Sequence, residues 1–200
     1  MSSVVLSGDT SGTVTLTVPA VAGTNTVTVP AGTGTMAVQG VSTNIVSGTA
    51  VASTSGTSID FTSIPSWVKR ITVMFNGVST NGTSPVQLQT GSGSVVSTGY
   101  LSNLTSLANG ASAAITNLTT GFVIGDTGTV AATTLAGTFT LTLVSSNSWI
   151  CNAWVAHTNT TRVYGAQGSI TLSGALDRVR ITTVNGTDTF DAGSINILYE

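Results

Sequence analysis

Residues 137–146 read GTFTLTLVSS, with Phe139, Leu141 and Leu143 alternating against Thr138, Thr140 and Thr142. A period of two puts the apolar set on one face of a pleated strand and the threonines on the other. β-branched and aromatic side chains suit such a half-buried surface. The same period returns near the N-terminus, where Val14, Leu16 and Val18 oppose Thr13, Thr15 and Thr17, and Val27 and Val29 oppose Thr26 and Thr28. Helical spacing is weak throughout. The best case is Leu101, Leu104 and Leu107, which permit one short helix. The expected fold class is all-β: an antiparallel β-sandwich of jelly-roll type with an N-terminal extended β-arm.

From residue 49 onward, candidate strands recur at the spacing of a sandwich or barrel. They fall near 49–54, 57–61, 67–77, 85–90, 94–101, 113–124, 136–145, 149–157, 161–172, 178–184 and 194–199. NGTSP at 81–85, Asn-Gly at 109 and 185, and GDTG at 125–128 supply turn chemistry between them. SWICNAWVAH at 148–157 is apolar at both alternating sets of positions, so it reads as a central strand buried on both sides. In SINILYE at 194–200, Ile195, Ile197 and Tyr199 share one face, which predicts a closing strand that buries both isoleucines.

Three segments follow: an N-terminal Thr/Val-rich arm at 1–40, a linker at 41–48, and a β-sandwich domain at 49–200. The arm is an internal repeat of strand, Pro-Ala and glycine turn, with Pro19 and Pro30 as punctuation. Each unit is too short to bury its own apolar face. It therefore needs another surface, and a Thr/Val ribbon suits strand addition to a neighbour. Proline at a strand end limits uncontrolled edge growth.

Charge is the compositional anomaly. The chain of 200 residues has 5 basic and 7 acidic side chains, against 40% hydrophobic residues. A lone domain usually carries ~25–35% charged residues on its surface. Hydroxyl and amide groups must cover much of this one, and the simplest resolution is that identical or neighbouring chains cover the rest. A net charge of −2 lacks the basic stripe that nucleic acid requires. No window offers the ~20 apolar residues of a spanning helix, so membrane insertion is not expected, and no signal peptide is visible. The single cysteine, Cys151, excludes an internal disulfide.

GTVTLTVPAVAGTNTVTVPAGTGTMAV at 12–38 resembles N-terminal segments of bacteriophage fibre and appendage proteins, particularly those of marine and cyanobacterial phages. IPSWVKRITVMFNGVSTNG at 64–82 and the closing GSINILYE resemble a small C-terminal β-domain of such virion proteins. The resemblance implies a non-enzymatic structural protein of the virion: a short homotrimeric fibre or fibre tip that contacts the host surface. A capsid decoration or cement protein is the alternative, and a carbohydrate-binding adhesin a further one. It implies assembly in the host cytoplasm and exposure on the released particle. The expected partners are the chain itself, tail or capsid proteins reached through the arm, and a host-surface glycan or protein. The arm residues that would carry anchoring are Val14, Leu16, Val18, Pro19, Val27, Val29 and Pro30.

Site chemistry is sparse, and no catalytic residue, metal ligand or cofactor is expected. Cys151 and His157 lie six apart on one strand, roughly 20 Å at ~3.3 Å per residue, too far for a nucleophile–base pair. Asp188 and Asp191 could offer carboxylates to Ca²⁺, but the plainer reading is a hairpin whose aspartates bond local backbone. Lys69, Arg70, Arg178 and Arg180 form the basic clusters, and Tyr100 and Tyr164 are the aromatics expected to be exposed. These six are the candidate glycan contacts. The basic residues are explained more simply by solvated strand faces or pairs between subunits.

Overall fold

Among the described residues, the chain is extended where the sequence alternates. The computed structural model describes residues 3–7, 11–17, 23–24, 45–109, 114–125, 130–131, 133–159 and 161–200, and all regular structure among them is β-strand. The chain forms two compact units, Met1–Val41 and Ser42–Glu200.

In the first unit, β1 (Ser3–Ser7) pairs antiparallel with β2 (Thr13–Thr17), Val5 opposite Thr15. Alternation singles out β2 but not β1, whose SVVLS carries no Thr/Val ladder. Thr13, Thr15 and Thr17 are exposed. Of the anchoring residues, Val14 and Leu16 lie in β2; Val18, Pro19, Val27, Val29 and Pro30 lie outside the described residues.

The second unit contains two antiparallel sheets. The larger comprises β3 (Val46–Ser47), β4 (Val51–Ala52), β6 (Arg70–Thr80), β9 (Leu101–Ala108), β10 (Ala114–Leu118), β12 (Leu135–Ser145), β13 (Ser148–His157), β14 (Arg162–Thr171) and β16 (Phe190–Tyr199). Its order is β10-β9-β14-β13-β12-β6-β16-β3, with β4 also on β16. The smaller comprises β5 (Ser58–Thr62), β7 (Val86–Ser92), β8 (Ser94–Val95), β11 (Phe122–Ile124) and β15 (Arg178–Thr183), in the order β11-β7-β15-β5 with β8 on β7. Four antiparallel pairs nest within one another along the chain: β5 with β15, β6 with β12, β7 with β11, and β9 with β10.

The inner faces of both sheets share one hydrophobic cluster. Val73, Phe139, Leu141 and Ile195 of the large sheet belong to it, as do Leu88, Phe122 and Ile181 of the small sheet, all fully buried. Phe75 and Phe139 pack with ring centroids 5.4 Å apart. Ile195 and Ile197 are buried on β16, which pairs with β6 along most of its length. Each such isoleucine withdraws enough apolar surface to contribute about 1.5–3 kcal/mol.

Three expectations change. Residues 101–108 form a strand rather than a helix: Leu104 is buried while Leu101 and Leu107 are exposed, as alternation demands. Residues 113–124 divide into β10 and β11, which belong to different sheets. β13 is central but buried on one face only. Trp149, Cys151, Ala153, Val155 and His157 face the core, whereas Ile150 and Trp154 are 48% and 49% exposed. Period two separates the two sets correctly, but both are apolar, so the pattern could not say which faces water.

Candidate functional site

The three candidate arginines are tied within the chain. Arg180 on β15 meets Asp60 on β5 in a two-pronged pair, Nε donating to Oδ1 at 2.7 Å and Nη2 to Oδ2 at 2.8 Å. Asp60 and Arg180 are direct register partners, so sheet pairing alone brings them together. Arg178 forms the same fork with its neighbour Asp177, at 2.8 and 3.0 Å. That guanidinium holds the Asp177 carboxyl below the usual range, helped by the Gly93 N–H. Arg70 pairs with Glu200, whose main-chain oxygen also accepts the N–H groups of Lys69 and Arg70 at 2.6 and 2.8 Å. All three arginine pairs form within the chain.

Tyr100 and Tyr164, expected at the surface, are both 0% exposed. Tyr100 packs edge-on against Phe122 at 5.0 Å. Its hydroxyl accepts from the Thr90 N–H at 2.7 Å and donates to the Val96 carbonyl at 3.0 Å. A phenol that finds partners for its oxygen can bury its ring fully. Tyr164 packs edge-on against His157, ring centroids 4.7 Å apart. Neither ring offers a face to a sugar. The exposed indoles are Trp67, which packs on Tyr199 at 5.9 Å, and Trp154.

Burial raises the Cys151 thiol well above its ordinary pKa, which disfavours the nucleophilic thiolate. The Asp188 carboxylate is engaged by the protein itself. Its Oδ2 accepts the Ser84 N–H at 2.9 Å and its Oδ1 accepts the Asn185 side-chain amide at 2.6 Å. Among the described residues, no three His, Cys, Asp or Glu side chains group as metal ligands would.

These bonds join two turns, 81–85 and 184–189, that sequence reading treated as separate loops. Asn81 exchanges two bonds with Thr189: its N–H donates to the Thr189 carbonyl, and its Oδ1 accepts the Thr189 N–H, each at 2.9 Å. The Asn185 N–H donates to Ser84 Oγ at 3.0 Å. Asn185 Oδ1 accepts from Thr183 Oγ1 and from the N–H groups of Thr187 and Asp188. Gly82 permits the join, because a Cβ there would overlap the Asp188 carboxylate.

Residues 184–186 of the joined turns form one wall of a cleft of about 250 Å³ on the outer face of the small sheet. Gln87, Gln89, Arg180 and Thr182 line it, with Thr57 and Ser58 on one side and Val184, Asn185 and Gly186 on the other. Gln87 and Gln89 point away from the core, yet are only 3% and 6% exposed. The bend at Thr119–Gly121 holds both. Gln89 Nε2 donates to the Thr120 carbonyl at 2.9 Å, and Thr120 Oγ1 donates to Gln87 Oε1 at 3.0 Å. Gln87 Nε2 donates to the Thr183 carbonyl at 3.3 Å. A Cβ at Gly121 would press on the Gln87 amide, so glycine allows this close approach. Of the candidate contacts, only Arg180 lines the cleft. Arg178 lies farther along the same strand, and Lys69 and Arg70 belong to the large sheet's end.

The opposite outer face is of another kind. Strands β10, β9, β14, β13 and β12 are adjacent and carry a single ionic side chain, Arg162. Leu101, Leu107, Ile150, Trp154 and Val163 are exposed on it. Register aligns Leu101, Ser169 and Ile150 in one cross-strand row and Asn103, Gln167 and Asn152 in the next. The Trp154 ring rests over Gly165, its register partner, where a Cβ would touch the indole. No family model, curated protein or solved structure matches this chain.

Proposed function

We propose that the chain is a non-enzymatic structural protein of a bacteriophage virion, a short homotrimeric fibre or fibre tip that contacts the host surface. The N-terminal arm anchors it to other virion proteins, and the second unit is a β-sandwich of jelly-roll type. The four nested pairs support that topology, since a jelly roll is a long hairpin rolled so that its first strand meets its last. On this reading the β12–β13–β14 meander occupies the place of a single strand, and β16 is an addition beside β6. The protein is assembled in the host cytoplasm and exposed on the released particle.

One observation carries the reading: the uncharged outer face of the large sheet. Five strands of 5 to 11 residues, about 4.8 Å apart and rising ~3.3 Å per residue, make a face of roughly 700 Å². A standard interface takes about 800 Å² from each partner, and exposed apolar patches of several hundred Å² mark association sites. Identical chains packed about a three-fold axis cover that face. A monomer would leave Leu101, Ile150 and Trp154 in water without charges to keep copies apart.

Imaging of intact particles with gold-labelled antibody against the second unit tests the assignment. Label on a projecting three-fold spike is the expected result. Label spread over a shell, each chain spanning several capsid subunits, would replace the fibre with a cement protein. Absence from the particle would remove the virion assignment altogether.

A further inference from the structure

We propose that the cleft on the small sheet binds an uncharged sugar residue through its hydroxyl groups. The proposal rests on the host-contact reading above and supplies the chemistry of that contact. At about 250 Å³ the cleft lies just below the ~300–1,000 Å³ of drug-sized sites. It admits one or two sugar rings and excludes a peptide helix.

Its walls offer paired donors and acceptors in place of charge. A side-chain amide has two donors and two acceptor positions. Gln87 uses one donor and one acceptor in its bonds to Thr183 and Thr120, which leaves one of each for a ligand. Arg180 commits two of its five N–H donors to Asp60 and keeps three. Vicinal sugar hydroxyls, each both donor and acceptor, match that mixture. Val184, exposed at the rim, faces the C–H side of a ring.

Charge decides against an anionic ligand. Asp60 already matches the Arg180 charge, so an incoming carboxylate meets no net positive charge there. The three remaining N–H donors serve uncharged hydroxyls, which need no charge partner. Preorganisation favours binding as well. The glutamines and the joined turns are ordered by the protein's own hydrogen bonds, so a ligand does not have to immobilise them; ordering one such side chain costs about 0.5–1.5 kcal/mol. The cleft also lies on the face opposite the uncharged strands, so covering those strands does not itself occlude it.

The experiment titrates the full chain with methyl glycosides of glucose, galactose, mannose and N-acetylglucosamine. Glucuronic acid and N-acetylneuraminic acid serve as anionic probes. Proton–nitrogen spectra follow the side-chain amides of Gln87 and Gln89 and the Arg180 Nε–H. The expected result is saturable shifts of these signals with at least one uncharged glycoside, unchanged by added salt because no net charge is matched. Ser58→Tyr, which fills the cleft from its half-buried wall, should weaken binding roughly tenfold or more. If that variant misfolds, the wild-type titration still decides. Silent signals with every uncharged glycoside overturn the proposal, as does binding of the anionic sugars alone or undiminished binding in folded Ser58→Tyr. A chain found on the particle with silent glutamines loses the ligand and keeps the virion role. Sugar binding by a chain absent from particles does the reverse and indicates an adhesin.

Discussion

The two outer faces of the second unit are both nearly neutral, but by opposite means. The small sheet cancels Arg180 against Asp60 in register and Arg178 against its neighbour Asp177, with Gln87 and Gln89 pinned by hydrogen bonds around a cleft. The large sheet carries almost no ionic groups across β10 to β12 and leaves Ile150, Trp154 and Leu101 exposed. A face with directional bonds already fixed is suited to recognising a small polar ligand. A broad face of threonine, amide and apolar groups gains stability by being covered, because burial there contributes roughly 25 cal/mol per Å² of apolar surface. Neutrality by cancellation and neutrality by omission are therefore different functional signals.

The comparison breaks most severely if the shared floor is disturbed. Ile197 belongs to the single core beneath both faces, and Ile197→Ala should destabilise the unit by about 2–5 kcal/mol. Thermal unfolding should show a large fall in Tm, with association and cleft signals lost together. Asn196→Ala, on the opposite side of the same strand, should be mild. Equal effects of the two changes would mean that the alternation of β16 has been misassigned.

A smaller, one-sided effect is expected from Gly82→Ala. The added methyl must push the Asp188 carboxylate from Ser84 and Asn185, and overpacking of this sort costs about 1–3 kcal/mol. Spectral changes should concentrate in 81–85 and 184–189 and reach the cleft, while the oligomer remains intact. Changes centred on β13 or β14 would show the faces to be coupled.

The smallest effect is set by pH. Pairing with Arg178 lowers the Asp177 pKa in the folded protein, so its contribution is complete above the unfolded carboxylate value of about 3.9. It is lost as pH falls from there through the depressed folded value. Because this pair is partly open to solvent, which screens it, the loss should be small. Melting curves of Asp177→Asn should lack that portion of the acid dependence. An identical acid dependence in the variant would show that the pair contributes nothing.

Much of the strand pattern was legible because alternation encodes burial directly. Phe139 and Leu141 announced β12, and Ile195 and Ile197 announced β16. The orientation of β13 was not legible, since Trp149 and Cys151 are as apolar a set as Ile150 and Trp154, and only packing against the second sheet separates them. Tyr100 escaped because its burial depends on Thr90 and Val96 meeting its hydroxyl. The cleft left no local trace at all. Gln87 meets Thr182 in register, and Thr182 meets Ser58, so one wall draws on residues more than a hundred positions apart. Arg180 was noticed for its charge, which the structure shows to be cancelled.

Sedimentation of the wild-type chain beside Trp154→Glu asks whether the uncharged face of the large sheet is an interface. Trp154 sits mid-face over Gly165, so the new carboxylate would be buried without a partner in any assembly that covers the face. An uncompensated buried charge costs about 3–5 kcal/mol. The wild type should sediment as a trimer at micromolar concentration, and Trp154→Glu as a folded monomer with an unchanged core. A wild-type monomer, or a trimer that tolerates the glutamate, would contradict an interface there.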